Sequence, residues 1–241
     1  MNILGSPKVF GIVGIVVVIV FLVGAVYTSG ANDRSAADPL PTATPAPSVT
    51  ASASSSASVS ASPTPLQFAA AEQVIDAATK KYEATILTSK GEIKLRLLAD
   101  QAPLTVNTFV FLARKQYFDG IIFHRVVKDF VIQAGDPTGT GRGGPGFETA
   151  EDKNELTNKR GFVSMAKAGA VTKFGSQFFI NLKDNPALDQ NTASQKRFYP
   201  WAEVIAGMEI VDQIALVRVD QAGKPVEPVV IQSVLIIESA K

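Results

Sequence analysis

Residues 123–147, FHRVVKDFVIQAGDPTGTGRGGPGF, join an arginine, two apolar runs and a glycine-rich loop in one stretch. The runs 121–127 and 130–135 have the length and branched apolar content of strands. Arg125 stands inside the first run, beside His124, the only histidine of the chain. Phe130, Val131 and Gln133 occupy the second. A guanidinium among apolar neighbours is costly to bury without a polar partner, so the cluster demands either a structural ion pair, for example with Asp136, or a chemical use. The loop GTGRGG at 139–144 matches GxGxxG. A dinucleotide site needs that loop to open a helix inside a βαβ unit. Here Pro145 and Gly146 follow at once, and the glycines are read instead as tight turns at a groove edge.

Working outward, YEATILTS (82–89) and EIKLRLL (92–98) alternate around Lys90–Gly91, the pattern of a β-hairpin. Upstream, Phe68, Ala71, Val74, Ile75 and Ala78 fall at helical spacing, which predicts a short helix within 67–81. APLTVNTFVFLARKQYFDG (102–120) reads as a helix. Pro103 suits its first turn, Val106, Phe109, Val110 and Ala113 form one apolar face, and Gly120 ends the segment. GFVSMAKA (161–168) and SQFFINL (176–182) read as strands. MEIVDQIALV (208–217) reads as a second amphipathic helix with Ile210, Val211, Ile214 and Ala215 inward. PVVIQSVLIIES (228–239) reads as a last strand after the turn at 220–225. About eight strands and two helices predict a mainly β domain, a closed antiparallel barrel capped by helices.

The first 66 residues differ in kind. VFGIVGIVVVIVFLVGAVY (9–27) carries no charge and, as a helix, would be about 28 Å long, one hydrocarbon core. It is expected to be a transmembrane anchor within residues 1–30. A cleaved signal peptide is the alternative, although its apolar region would be unusually long. Lys8 before the helix favours a cytoplasmic amino terminus and an extracytoplasmic domain. Residues 31–66, including PTATPAPSVTASASSSASVSASPTP (41–65), have almost no large apolar side chains and read as a disordered linker. Residues 67–241 form the expected domain, with its core at 82–239.

Composition narrows the chemistry. The chain has 241 residues, a formal charge of +1, no cysteine and one histidine. Balanced charge gives no support for nucleic-acid binding. A disulfide, a thiolate nucleophile and a Cys- or multi-His metal site are excluded. No cofactor or metal is expected.

Five blocks, in order, carry a family resemblance: residues 123–147, then GFVSMAKAG (161–169), GSQFFINL (175–182), ALD (187–189) and AEVIAGMEIVD (202–212). From 82 to 239 the chain resembles the cyclophilin family of peptidyl-prolyl cis-trans isomerases. The resemblance implies a cyclophilin-like barrel and catalysed rotation of X–Pro bonds in unfolded or flexible protein segments, assisting folding. A non-catalytic module that holds proline peptides in the same groove is the alternative.

An X–Pro bond rotates over a barrier of about 18–20 kcal/mol. Rotation breaks amide resonance and returns a lone pair to the proline nitrogen. A fixed donor aimed at that atom binds the twisted state better than either planar one. The resemblance gives that role to Arg125, with Gln133 accepting from it or binding substrate backbone. It implies a proline pocket of Phe130, Val131, Phe179 and Leu188. Ala166 and Lys167 would hold the peptide through backbone groups, and His124 and Gln177 would flank it. Strand alternation puts Gln177 and Phe179 on the groove face and Phe178 in the core.

Three departures stand out. Ala187 replaces a Trp that helps bind cyclosporin in many members, which implies weak cyclosporin binding. The segment 190–200 is long and lacks the pocket-edge His, so Phe198 or Tyr199 stands in. Trp201–Ala202 replaces the usual Phe-Gly, with Trp201 expected to pack near the rim.

Overall fold

The alternation at 82–98 produces the predicted hairpin. β1 (Lys80–Thr88) pairs antiparallel with β2 (Gly91–Leu97), Ile86 opposite Ile93. Tyr82, Ala84, Ile86, Ile93, Leu95 and Leu97 point inward and are buried, as a period of two requires. The protein is represented by a computed structural model that describes residues 66–168, 171–192 and 196–241, all inside a unit spanning Val59–Lys241.

Helix α1 (Pro103–Arg114) starts on Pro103. Its first turn is held from afar by Asp152, whose carboxylate accepts from the N–H groups of Leu104 (3.3 Å) and Thr105 (2.7 Å). An anion there complements the helix dipole. The expected single apolar face is too narrow: every residue from Thr105 to Ala113 is buried. The extra cover comes from the segment predicted as a short helix within 67–81. That segment is instead an irregular strap ending in a turn at 77–79. Side chains take its backbone groups. Asn107 Oδ1 accepts from Val74 N–H (2.8 Å) and Ile75 N–H (3.3 Å), and Asp76 Oδ1 accepts from Ala78 N–H (3.0 Å) and Thr79 N–H (3.2 Å). Such partners compete with helical bonds. Phe68 packs edge-on against Phe111, centroids 5.2 Å apart.

The remaining elements are β3 (Arg125–Val127), β4 (Val131–Ala134), β5 (Thr149–Ala150), β6 (Phe162–Met165), β7 (Lys173–Phe174), β8 (Phe178–Asn181), β9 (Pro200–Ala206), α2 (Met208–Ala215) and β10 (Ile231–Ala240). Eight strands form one antiparallel sheet, ordered β10-β1-β2-β9-β6-β8-β4-β3, and β5 pairs with β7. The expected closed barrel is corrected to an open half-barrel with β10 and β3 at its ends. β3 is only three residues long, and Val126 N–H is taken by Gly223 O (2.7 Å) from the loop before β10. One isolated bridge, Ile122 to Val230, crosses the gap.

The main core lies between the sheet and the helices. Val211 and Ile214 of α2 are buried, while Ile210 and Ala215 are half-buried against the same core. Phe109 sits near Trp201 (4.7 Å), Phe118 (5.1 Å) and Phe178 (5.9 Å). Trp201 is 0% exposed. Its predicted place near the rim is corrected to the centre, because its strand is internal to the sheet, between β2 and β6. Among the described residues no helix is long and apolar enough to cross a membrane. The expected anchor at 9–27 and the linker up to residue 65 lie outside the described residues.

Candidate active site

A second, smaller apolar cluster lies apart from the core. Val131, Phe179 and Leu188 are its buried centre, with Phe130, Ala166 and Phe198 packed against them. Sheet register builds it. Arg125 faces Gln133 across β3–β4, and Gln133 faces Phe179 across β4–β8. Residues directly opposite in a ladder present their side chains to one face, so three residues distant in sequence share a surface. Phe178, one step from Phe179, belongs to the main core and is 0% exposed. Leu188 arrives on a short 3₁₀ turn, Pro186–Asp189. Phe198 N–H donates to Leu188 O (2.9 Å), fastening the segment before β9 to that turn. The Phe198 ring meets Phe179 edge-on at 5.6 Å.

Beside this cluster runs a polar chain. Arg125 Nη1 lies 3.5 Å from Gln133 Oε1, Gln133 Nε2 donates to Gln177 Oε1 (3.0 Å), and Gln177 Nε2 donates to Gly143 O (3.0 Å). The chain meets the guanidinium through one neutral acceptor, Gln133 Oε1. Among the described residues no carboxylate lies within ion-pair distance of Arg125. Burial lowers its pKa, yet an arginine stays charged. The result is a half-buried cation with donors to spare.

Asp136, considered as its ion partner, has another task. Its buried carboxylate accepts from Thr138 N–H (2.7 Å), Thr140 N–H (3.0 Å) and Gly141 N–H (2.5 Å). Burial alone would raise its pKa. The Thr138 hydroxyl and the loop N–H groups outweigh that and lower it. The glycine loop is therefore wound around a carboxylate and presents Gly143 O to Gln177. At Gly143 an added Cβ would lie 2.0 Å from Asp136 Oδ1.

The other residues named from the sequence border this site in different ways. His124 is buried outside the apolar cluster, close to the Gln177 side chain and to Asp136; burial lowers its pKa. Tyr199 lies against Lys167 and Arg197 instead of joining the apolar cluster. The Lys167 side chain is turned inward on Glu151. Ala166 does border the cluster, but its N–H is already used by Gln177 O (2.8 Å).

The family model for "Cyclophilin type peptidyl-prolyl cis-trans isomerase/CLD" matches residues 84–236. The chain belongs to this family. Among similar cyclophilins, the peptidyl-prolyl cis-trans isomerase ppi1 of Schizosaccharomyces pombe is 40% identical over 146 residues, 58% of this chain and 90% of that protein. Peptidyl-prolyl cis-trans isomerase A of Mycobacterium tuberculosis is 38% identical over 187 residues, 70% of this chain and 99% of its own length. A cyclophilin-type isomerase of Cryptosporidium parvum superposes with a TM-score of 0.59 at 31% identity, covering 65% of this chain and 98% of that one. A structure of that protein in the presence of the dipeptide Ala-Pro gives 0.57 at 31% identity, covering 64% and 98%. This cyclophilin is accordingly a peptidyl-prolyl cis-trans isomerase.

Sequence reasoning missed the supports of the cyclophilin site: Gly143 O behind Gln177, Asn158 behind Phe198, and Glu151 behind Lys167. Asn158 Nδ2 donates to Phe198 O (2.9 Å) and to Asp189 Oδ1 (2.7 Å). No periodicity or spacing marks them, because each partner is brought in by the fold.

Proposed function

We propose that Arg125 is the catalytic donor and that Val131, Phe179, Leu188, Phe130 and Phe198 grip the proline ring. One observation carries this reading: a half-buried guanidinium with no carboxylate partner among the described residues, beside an apolar cluster on the same sheet face. Nη atoms not used by Gln133 are available for the imide nitrogen as its lone pair returns. Gln177 and Gln133 aim the fork, and the apolar walls orient the ring. No nucleophile or proton transfer is needed. His124 acts as a structural residue under this reading, and Phe198 replaces the pocket-edge His.

The substrates are proline-containing unfolded or flexible protein segments, and the enzyme assists their folding. Residues 9–27 tether it to a membrane, and 31–66 let the domain reach away from the surface on the extracytoplasmic side. The charge-free apolar run and Lys8 before it support this placement. A protease-coupled assay on an Ala-Pro peptide tests the catalytic reading, and binding without rate enhancement would leave only a holding module. Protease added to intact cells tests the topology: release of the domain is expected, and protection until lysis would reverse the orientation. Cyclosporin is expected to inhibit weakly, with Ala187→Trp strengthening inhibition.

A further inference from the structure

Lys167 follows β6 by two residues, and its side chain is 0% exposed. The ammonium is ion-paired with Glu151, donates to Arg197 O (2.6 Å), and lies 5.0 Å from the centroid of the Phe198 ring and 5.8 Å from that of Tyr199. A buried pair of this kind is costly to desolvate and is weak evidence for stability. Its geometry points to another use.

Glu151 is anchored. Its neighbour Asp152 clamps Thr105 at the start of α1, through the N–H (2.7 Å) and the hydroxyl (2.8 Å). Glu151 N–H donates to Thr172 O (3.3 Å), beside β7. The backbone that carries Glu151 is thus held, and Lys167 links its carboxylate to the aromatic segment. The Phe198 backbone is already held, its N–H by Leu188 O and its carbonyl by Asn158. Those bonds leave ring rotation free. The ring is bracketed by Phe179 at 5.6 Å and the ammonium at 5.0 Å. A cation over an aromatic face favours one ring orientation, most strongly when desolvated.

We propose that the Lys167–Glu151 pair is a positioning device for the proline pocket, setting the Phe198 ring against Phe179 from behind. The proposal rests on the reading of Phe198 as a pocket wall. It predicts an effect on substrate binding and little on bond rotation, since the pair touches neither Arg125 nor Gln133.

The test uses the full-length chain and an Ala-Pro peptide, with KM and kcat measured separately. Lys167→Met is expected to raise KM by up to about thirtyfold, the factor for one desolvated cation–π contact, while kcat stays within about twofold. Lys167→Met leaves Glu151 buried and unpaired, so the double variant Lys167→Met/Glu151→Leu, which leaves no stranded charge, is measured beside it and is expected to show the same rise. Phe198→Ala is the control for the pocket itself. A KM raised by Phe198→Ala but unchanged in the folded double variant overturns the positioning role. So does a double variant with a lower melting temperature and a normal KM, the signature of a purely structural pair. If Phe198→Ala also leaves KM unchanged, the pocket assignment is what fails, and the proposal falls with it.

Discussion

Arg125→Ala tests the catalytic reading most directly. Bringing a spontaneous rotation of minutes down to milliseconds requires about 10⁵-fold acceleration, or about 7 kcal/mol. The arginine can supply one charge-assisted hydrogen bond that strengthens in the twisted state, about 1.5–3 kcal/mol. Its removal should lower kcat/KM about 10- to 150-fold and leave about 10³- to 10⁴-fold acceleration over the uncatalysed reaction. The fold should survive. Arg125 has no ion partner to strand among the described residues, and its bond to Gln133 is long at 3.5 Å. Gln133 keeps Gln177 at 3.0 Å. A stability loss of about 1 kcal/mol or less is expected, a shift of about 2–4 °C in melting temperature. Arg125→Lys keeps the charge without the fork and should fall between the two. The assay is protease-coupled isomerisation with thermal melts alongside. Wild-type kcat/KM in a folded Arg125→Ala refutes the reasoning. So does a fall to the uncatalysed rate in a variant that still binds peptide, since the pocket would then contribute nothing.

The supports of the site give further expectations. In Gly143→Ala the new Cβ would collide with Asp136 Oδ1, so the loop must move and Gln177 loses its acceptor; kcat/KM should fall about tenfold, roughly one hydrogen bond of alignment, and an unchanged value would detach the loop from catalysis. His124 has its pKa lowered by burial, so the unfolded chain takes up a proton near about pH 6.5 before the folded chain does. Stability from this group is complete above that value and is lost as pH falls toward the folded pKa, with a slope of up to about 1.4 kcal/mol per pH unit. Asp136, also lowered, contributes in the same direction within the carboxylate range. As His124 is the only histidine, denaturant melts of wild type and His124→Gln should diverge in slope below about pH 6.5, and parallel curves would contradict the burial. Trp201→Ala should cost about 3–5 kcal/mol by opening a cavity beside Phe109 and Phe178, read as a fall of about 6–20 °C in melting temperature, and a loss of a degree or two would show that the ring is not central.

The sequence by itself determined the local elements of this cyclophilin. A period of two drew the β1–β2 hairpin, Pro103 marked the start of α1, and alternation separated Phe178 in the main core from Phe179 in the smaller cluster. These follow from backbone geometry within a few residues, which no distant partner has to supply. The family blocks pointed to Arg125, Phe130, Gln133, Phe179 and Leu188, and left Phe198 and Tyr199 undecided. Tertiary structure decided what depends on neighbours far along the chain. Asn107 took the backbone N–H groups of Val74 and Ile75 and kept the strap around residues 67–79 out of a helix despite its helical spacing. The Gly223 loop occupied the outer edge of β3 and left the barrel open. Phe198 entered the small apolar cluster because Leu188 O and Asn158 hold its backbone there, while Tyr199 turned to Lys167 and Arg197. The pairings of Val74 with Asn107, of Phe198 with Leu188 and Asn158, and of Val126 with Gly223 join residues 10 to 97 apart in the chain. Their free energies exist only once the sheet register has brought the partners within a few ångströms, and that register is a property of the whole fold.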